Sequence, residues 1–397
     1  MVMQDTRMIG VDSGGYPAQP DATAIIRAVD NRLIAAMDIT TPLIIMCGGL
    51  DGFTVNNPKH EWVNKDNWSR RINNHGGLAG TGTLQITVTA QAHRYPIGTI
   101  FQIESELIRV TGHVDANTLT VSRAYAGTSA AIHASNAGTV TGVILYVAGS
   151  SMSEDDNWVY RPTPIVDMPY NYCMIDHTAL RNTWARQATN LYGISGADEL
   201  DVLTADTLAE KTVAIEGELI MGRRYSGAAG APASAGGLFY YITSANGADV
   251  TDKASAALTL ADITGMLQRQ ADKVGIENVP NTLVMDQWGK QKISSFFAGS
   301  KRLTQGERIG GTVIDTLETE WGPVKLVMHA NMPYGNILGF RTNDVEIGHW
   351  GATGLLHTGE VMQNDGPFTG RYVYMAPTFR IRNIRTMARI HSYSIGT

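Results

Sequence analysis

The stretch Ser195 to Arg224, SGADELDVLTADTLAEKTVAIEGELIMGRR, constrains the fold most, because it is the longest run with one consistent helical pattern. Ser195 is placed to N-cap it, with Asp198 and Glu199 in the first turn, so orphan N–H groups meet acceptors. Leu200, Leu203, Leu208, Ile215 and Leu219 fall near one face and form its expected core stripe. Gly222 followed by Arg223 and Arg224 reads as a stop, since glycine accepts a left-handed cap and arginine suits exposed carbonyls. Such a helix is a rod of roughly 40 Å at about 1.5 Å per residue. Burying those aliphatic side chains stabilises it by on the order of 10 kcal/mol before ordering entropy is subtracted. The rod therefore has to lie across a sheet or another helix. Gly217 inside it costs about 1 kcal/mol relative to alanine, and points to close packing or a bend.

At 397 residues the chain is long enough for more than one core. Its 42 glycines exceed the usual share of about 7% and its 17% charged residues fall below the usual ~25%. That balance favours turns, extended connections and a surface partly covered by partners. A formal net charge of -6 argues against a protein whose main work is gripping nucleic acid, because neutralising phosphates needs surplus Lys and Arg. Cys47 and Cys173 make neither a metal-ligand spacing nor a disulfide framework, so a reducing compartment is expected. No apolar run approaches the roughly 20 residues of a membrane span, and the start, MVMQDTRMIG, lacks a secretory pattern.

Residues 1–20, polar and broken by Gly14, Gly15, Pro17 and Pro20, read as an arm. Ile25, Ile26, Val29, Leu33, Ile34 and Met37 then recur at helical spacing up to Thr41-Pro42, followed by the apolar run Leu43 to Met46. Glu61 to Trp68 alternates and is aromatic, as a strand is. Residues 81–148 are a separate β-rich block, with strands expected at Leu84–Val88, Ile100–Ile103, Leu107–Val110, Thr118–Ser122 and Val143–Val147. Short strands at near-regular spacing predict a small barrel or sandwich. Trp158 to Arg161 can pair with Glu61 to Trp68 across the block, which puts it on the tip of a long hairpin.

Gly227 to Gly237 is a small-residue surface loop without the ending of a phosphate-binding motif, and Leu238 to Ile242 reads as a strand after it. Thr259 can cap a helix whose Ile263, Met266, Leu267, Ala271 and Val274 face one way. The buried-type strand Leu283 to Met285 follows, and Asp286 can cap a second helix to about Phe297. With strands at Val324–His329, Ile337–Phe340 and Val345–Ile347 this makes a layered α/β portion. The tail carries Arg371, Arg380, Arg382, Arg385 and Arg389, which either face nucleic acid or acidic neighbours, or make ion pairs on a solvated strand.

No histidine pair has the spacing of a helical zinc site, so His133, His329 and His357 read as structural hydrogen-bonding residues. There is no G-x-S-x-G and no Walker sequence. Neither a metal nor a cofactor is expected, and the chain reads as a non-enzyme.

The series formed by Thr41-Pro42-Leu43, the Glu61-Trp62 strand with Asp66 after it, the long helix closed by Gly222, Thr319-Glu320-Trp321-Gly322-Pro323 and Met332-Pro333-Tyr334-Gly335 resembles the major capsid proteins of tailed phages of the Hong Kong 97 type. Glu106 to Thr111, Leu119 to Arg123, Gly127-Thr128 and His133 resemble a module inserted in the extended loop of a subset of them. The resemblance implies an α+β fold with an N-terminal arm (1–55), an extended loop (56–80 and 149–165) and an inserted β-rich domain (81–148). It further implies a peripheral domain (166–250 and 350–397) holding the spine helix over 196–224, and an axial domain (251–349). The implied function is self-assembly into an icosahedral shell of hexamers and pentamers around double-stranded DNA. Trp62, Lys65, Trp68, Trp158 and Arg161 are then the expected inter-subunit contacts.

Scaffold, portal and decoration proteins are implied partners, packaged DNA is touched weakly and without sequence preference, and no membrane is involved. The product is a virion component made in the bacterial host's cytoplasm. No coiled-coil leader precedes the arm, which implies a separate scaffold or none. A covalent Lys to Asn cross-link, as some such shells have, would draw on Lys59 or Lys65. Two other readings stay open: another virion part, such as a tail tube or decoration protein, and a β-rich enzyme or ligand-binding protein.

Overall fold

The computed structural model describes residues 41–47, 49, 52–65, 71–74, 78, 80–82, 84–88, 92–133, 143–154, 166–188, 199–228, 230–296, 315–351, 354–361 and 367–394. The helix expected over Ile25 to Met37, the cap at Ser195, and Trp68, Trp158 and Arg161 lie outside them. Among the described residues the chain divides into two units, one of 177–188, 199–210, 358–361 and 367–374, the other holding the rest.

The smaller unit holds a three-stranded sheet in the order Asp176–Thr183, Phe368–Met375, Leu356–Val361. Glycine permits close approach here: a Cβ on Gly359 would stand 2.5 Å from the Tyr372 hydroxyl. Thr183 caps the short helix Trp184–Gln187 by accepting the Arg186 N–H at 3.4 Å. Arg186 reaches Glu199 with Nε 2.8 Å from both carboxylate oxygens.

The spine helix spans Glu199–Met221, the first twelve positions counted with the smaller unit and the rest with the larger. Leu200, Ile215 and Leu219 are buried as expected, joined by Ile220. Leu203 is not: it is 38% exposed, and Leu208 is half-buried. Thr204 and Thr207 take the buried positions instead, which is possible because each hydroxyl donates back into the helix, to Leu200 O at 2.6 Å and Leu203 O at 2.7 Å. The helix also stops three residues before Arg224 for a different reason than a left-handed cap. A Cβ on Gly222 would stand 2.4 Å from Glu218 O and 2.5 Å from Ala235 O, so its glycine admits a neighbouring chain. Nothing lies within 4 Å of a Cβ on Gly217, so close packing is not its role.

In the larger unit, Gly237 slides against the end of that helix, its N–H donating to Gly222 O at 2.8 Å. The chain then turns into the helix Leu238–Tyr241, where a strand was expected, because Ile242 N–H closes on Leu238 O at 2.8 Å. The capped α/β portion follows expectation. Thr259 Oγ1 accepts the Asp262 N–H at 3.3 Å while Asp262 Oδ2 accepts the Thr259 N–H at 2.8 Å, a reciprocal cap on the helix Leu260–Val274. Asp286 Oδ1 accepts the Gly289 N–H at 3.1 Å and caps Gln287–Phe296.

These helices accompany a six-stranded mixed sheet in the order Asp249–Asp252, Ala388–His391, Asn336–Phe340, Thr282–Met285, Gly322–Met328, Thr316–Thr319. The tail strand Ala388–His391 sits inside this sheet, so the axial core is not confined to 251–349; Ala388 and Ile390 are wholly buried there. Val345–Trp350 belongs to another sheet, between Phe53–Val55 and Pro377–Ile381.

The inserted block is one antiparallel sheet in the order Arg71–Asn74, Val143–Ser150, Thr99–Ile103, Glu106–His113, Thr118–Ser122, Gln85–Thr87. Its described strands form a single sheet rather than the two of a sandwich, and they reach beyond 81–148 on both sides. Ile86, Phe101, Ile108, Leu119 and Leu145 fill its core. Asp115 Oδ1 accepts the Asn117 N–H at 2.7 Å, the local turn that Asp and Asn favour.

Candidate assembly interface

Two short ladders join the insert's ends to the rest of the larger unit. Lys59–Glu61 pairs antiparallel with Tyr170–Tyr172, and Asn64–Lys65 with Val166–Asp167, in one continuous register. Between them the Trp62 N–H donates to Pro169 O at 3.0 Å. This is the hairpin expected across the insert, but its partner strand is 166–172. The predicted one, 158–161, lies outside the described residues.

Alternation gives the ribbon two unlike faces. His60, Trp62 and Asn171 point inward and are buried. His60 stacks between Phe53 and Trp62 with ring centroids 5.0 and 5.4 Å away, and Trp62 meets Tyr241 at 6.1 Å. Asn171, wholly buried, uses its whole amide: Nδ2 donates to Gly236 O (3.0 Å) and Phe379 O (2.9 Å), and Oδ1 accepts the Gly236 N–H (2.7 Å) and Tyr172 N–H (2.9 Å). No spacing rule marks Asn171. Its only signal is a polar residue at the inward position of an alternating Tyr-Asn-Tyr.

The outer face carries Val63, 61% exposed, and Met168, 55% exposed, which the register sets opposite each other. Around them, Lys59 pairs with Glu61 and lies 4.3 Å over the Tyr170 ring, which Arg224 covers at 3.9 Å. Of the expected contacts, Trp62 is only 6% exposed and packs within its own chain, so it is a core residue of the subunit. Of Lys65 the backbone alone is described.

The tail arginines make contacts inside the chain. Arg380 and Arg382 reach Glu346 Oε2 at 2.8 and 3.3 Å, Arg371 pairs with Asp201, and Arg389 donates to Asn336 Oδ1 at 2.8 Å with its guanidinium 4.1 Å over Phe239. Arg380 also lies 3.8 Å over Phe53 and 3.1 Å from His60 Nε2. Burial, then the charges of Arg380 and Arg382, lower the His60 pKa to about 4. His133 sits 2.9 Å from Glu106 and His329 3.1 Å from Glu216, both buried. Among the described residues no three His, Cys, Asp or Glu side chains gather as metal ligands.

With ribbon, spine helix, mixed sheet and insert in place, the family model of the SU10 major capsid protein matches residues 13–394. The chain belongs to that family. No curated protein matches the sequence. Among solved structures, the cyanophage A-1(L) capsid is similar at a TM-score of 0.56, with 10% identity over 94% of this chain and 98% of that one. The capsid of the native GTA particle is similar at 0.50, with 8% identity over 94% and 96%. These likenesses give the fold: it is Hong Kong 97-like, as the sequence implied. This major capsid protein is a shell-forming structural protein, and no described helix is long and apolar enough to cross a membrane.

Proposed function

We propose that this capsid protein tiles an icosahedral head as hexamers and pentamers around double-stranded DNA, with the outer face of its ribbon lying against a neighbouring copy. The carrying observation is that one face of a two-stranded ribbon seals its own core while the other leaves Val63 and Met168 bare side by side. Two strands alone are marginally stable in water, and covering that apolar pair offers a second copy something to bury.

Lys65, Trp68, Trp158 and Arg161 remain in this reading as contacts with a neighbouring copy. Scaffold, portal and decoration proteins are the other partners, the packaged DNA is held without sequence preference, and the head is built in the bacterial host's cytoplasm. The reading includes no catalysis. Lys59, engaged by Glu61 and Tyr170, gives no support to a covalent cross-link at that position.

The test compares the unmodified chain with a Val63→Asp, Met168→Asp double variant by negative-stain microscopy and sedimentation. Shells from the first, and folded, unassembled subunits with an unchanged melting midpoint from the second, are the expected result. Shells from both, or a solitary subunit from the unmodified chain at high concentration, would sink the reading.

A further inference from the structure

Leu43 and Glu216 are 173 positions apart, yet the Leu43 N–H donates to Glu216 Oε1 at 2.5 Å inside the core. Leu43 is the second residue of the short helix Pro42–Met46, whose Leu43 and Ile44 are buried, and Cys47 follows at 7% exposure. Thr41, in the capping position, makes no side-chain hydrogen bond to that helix. The carboxylate comes from the spine helix and is wholly buried. A third element meets it at the end of the strand Gly322–Met328. His329 Nε2 stands 3.1 Å from the same Oε1 without closing a hydrogen bond on it, and His329 Nδ1 accepts the Asn331 N–H at 3.0 Å.

The other oxygen, Oε2, has no hydrogen-bond partner. A buried acid half-satisfied in this way is poor for stability, since an apolar residue of similar volume at such a site is often neutral or better. What an acid supplies and an apolar side chain does not is direction. The burial of Leu43 and Ile44 is non-directional and tolerates sliding, whereas one N–H to one oxygen fixes a register.

We propose that Glu216 is a latch, a positioning residue that fastens Pro42–Cys47 in one register on the core and thereby fixes the point from which residues 1–40 continue. Its consequence for assembly rests on the shell reading; the latch itself is a property of the subunit and is tested there.

Cys47 reports on the latch because it closes the fastened segment, and Cys173, also buried, is the chain's other thiol. In the full-length chain carrying Cys173→Ser, Glu216→Gln should raise the rate of maleimide labelling at Cys47 about tenfold or more and also strip the amides of Leu43–Cys47 of hydrogen-exchange protection. The second readout is needed because, after burial, the Glu216 charge itself holds the Cys47 thiol up, and its loss speeds labelling without any opening. In the complementary Cys47→Ser chain the same substitution should leave Cys173 labelling unchanged. Glu216→Met, similar in volume and without a hydrogen-bonding carboxylate, should expose Cys47 equally while the melting midpoint holds or rises, and it serves where Glu216→Gln does not fold. Unchanged Cys47 labelling in either variant, or unchanged protection of Leu43–Cys47, overturns the latch. So does a parallel rise at both thiols, which would make Glu216 an ordinary core residue. A failure of the unmodified chain to form shells would count against the shell reading and leave these thiol results standing.

Discussion

Asn171 and Gly236 exchange two hydrogen bonds, amide to backbone, at 2.7 and 3.0 Å in the buried floor of the ribbon. The pair ties the strand Tyr170–Tyr172 to the chain that runs past the spine helix, and the same Nδ2 adds Phe379 O. Removing the amide takes a partner from the Gly236 and Tyr172 N–H groups and from two carbonyls in the interior. Asn171→Ala should therefore cost about 3 kcal/mol, at the rate of 1–3 kcal/mol per stranded buried group. Asn171→Asp should do worse, because a carboxylate oxygen would face two carbonyl oxygens. Denaturant midpoints of the subunit measure both, and a loss below about 1 kcal/mol in either would show that water replaces the amide.

Trp62 separates subunit folding from assembly. Its ring is buried against His60 and Tyr241, so Trp62→Ala should cost roughly 3–5 kcal/mol of subunit stability and lose shells only as a result. Its Nε1 has no hydrogen-bond partner, so Trp62→Phe, which keeps most of the packing, should be far milder. Thermal melting of unassembled subunits checks this. A normal midpoint for Trp62→Ala together with absent shells would return Trp62 to the interface.

How much the sequence disclosed follows from the range of each interaction. Thr259, Asp262 and Asp286 act within one turn of their own helices, and those caps were legible. So was the insert, whose described strands pair within one stretch of chain. Ala388–His391 was not legible as a member of the mixed sheet, because its partners lie at 249–252 and 336–340 and no local pattern encodes that choice. Leu203 was misassigned because periodicity counts hydrophobic residues, and it cannot foresee that threonines bonded to their own helix are equally fit for burial. The apolar pair Val63 and Met168 becomes visible only once the register is known.

Two glycines at the spine helix predict opposite outcomes. A Cβ on Gly237 would stand 2.4 Å from Glu218 O and 2.6 Å from Leu219 O, backbone atoms that cannot swing aside. Gly237→Ala should cost about 3 kcal/mol through forced separation. Gly217 lies in helix with open space around its Cβ position, so Gly217→Ala should gain about 0.5–1 kcal/mol. Melting midpoints that move the same way for both would contradict the packing described.

Acid should weaken the protein in two separable windows. Burial, then the charges of Arg380 and Arg382, hold His60 at about 4 against an ordinary 6.5, so between those values the unfolded chain binds the extra proton. Stability is full above pH 6.5 and falls as the pH drops toward 4. Glu106 is the opposite kind of group in the lower window. Burial alone would raise it, but bonds from Arg123, the Ala131 N–H, His133 and the Ala124 N–H outweigh burial and hold it at about 2 against an ordinary 4.5. Its contribution is complete above pH 4.5 and is lost as the pH falls through 2, because there the unfolded carboxylate protonates first. Hydrogen exchange resolves the two: protection around 53–62 should decline first, and protection across 106–133 only below about pH 4.5. His60→Phe, which keeps the ring stack, should flatten the upper window and leave the lower one; a lower window that disappears with it would mean that the two regions open as one.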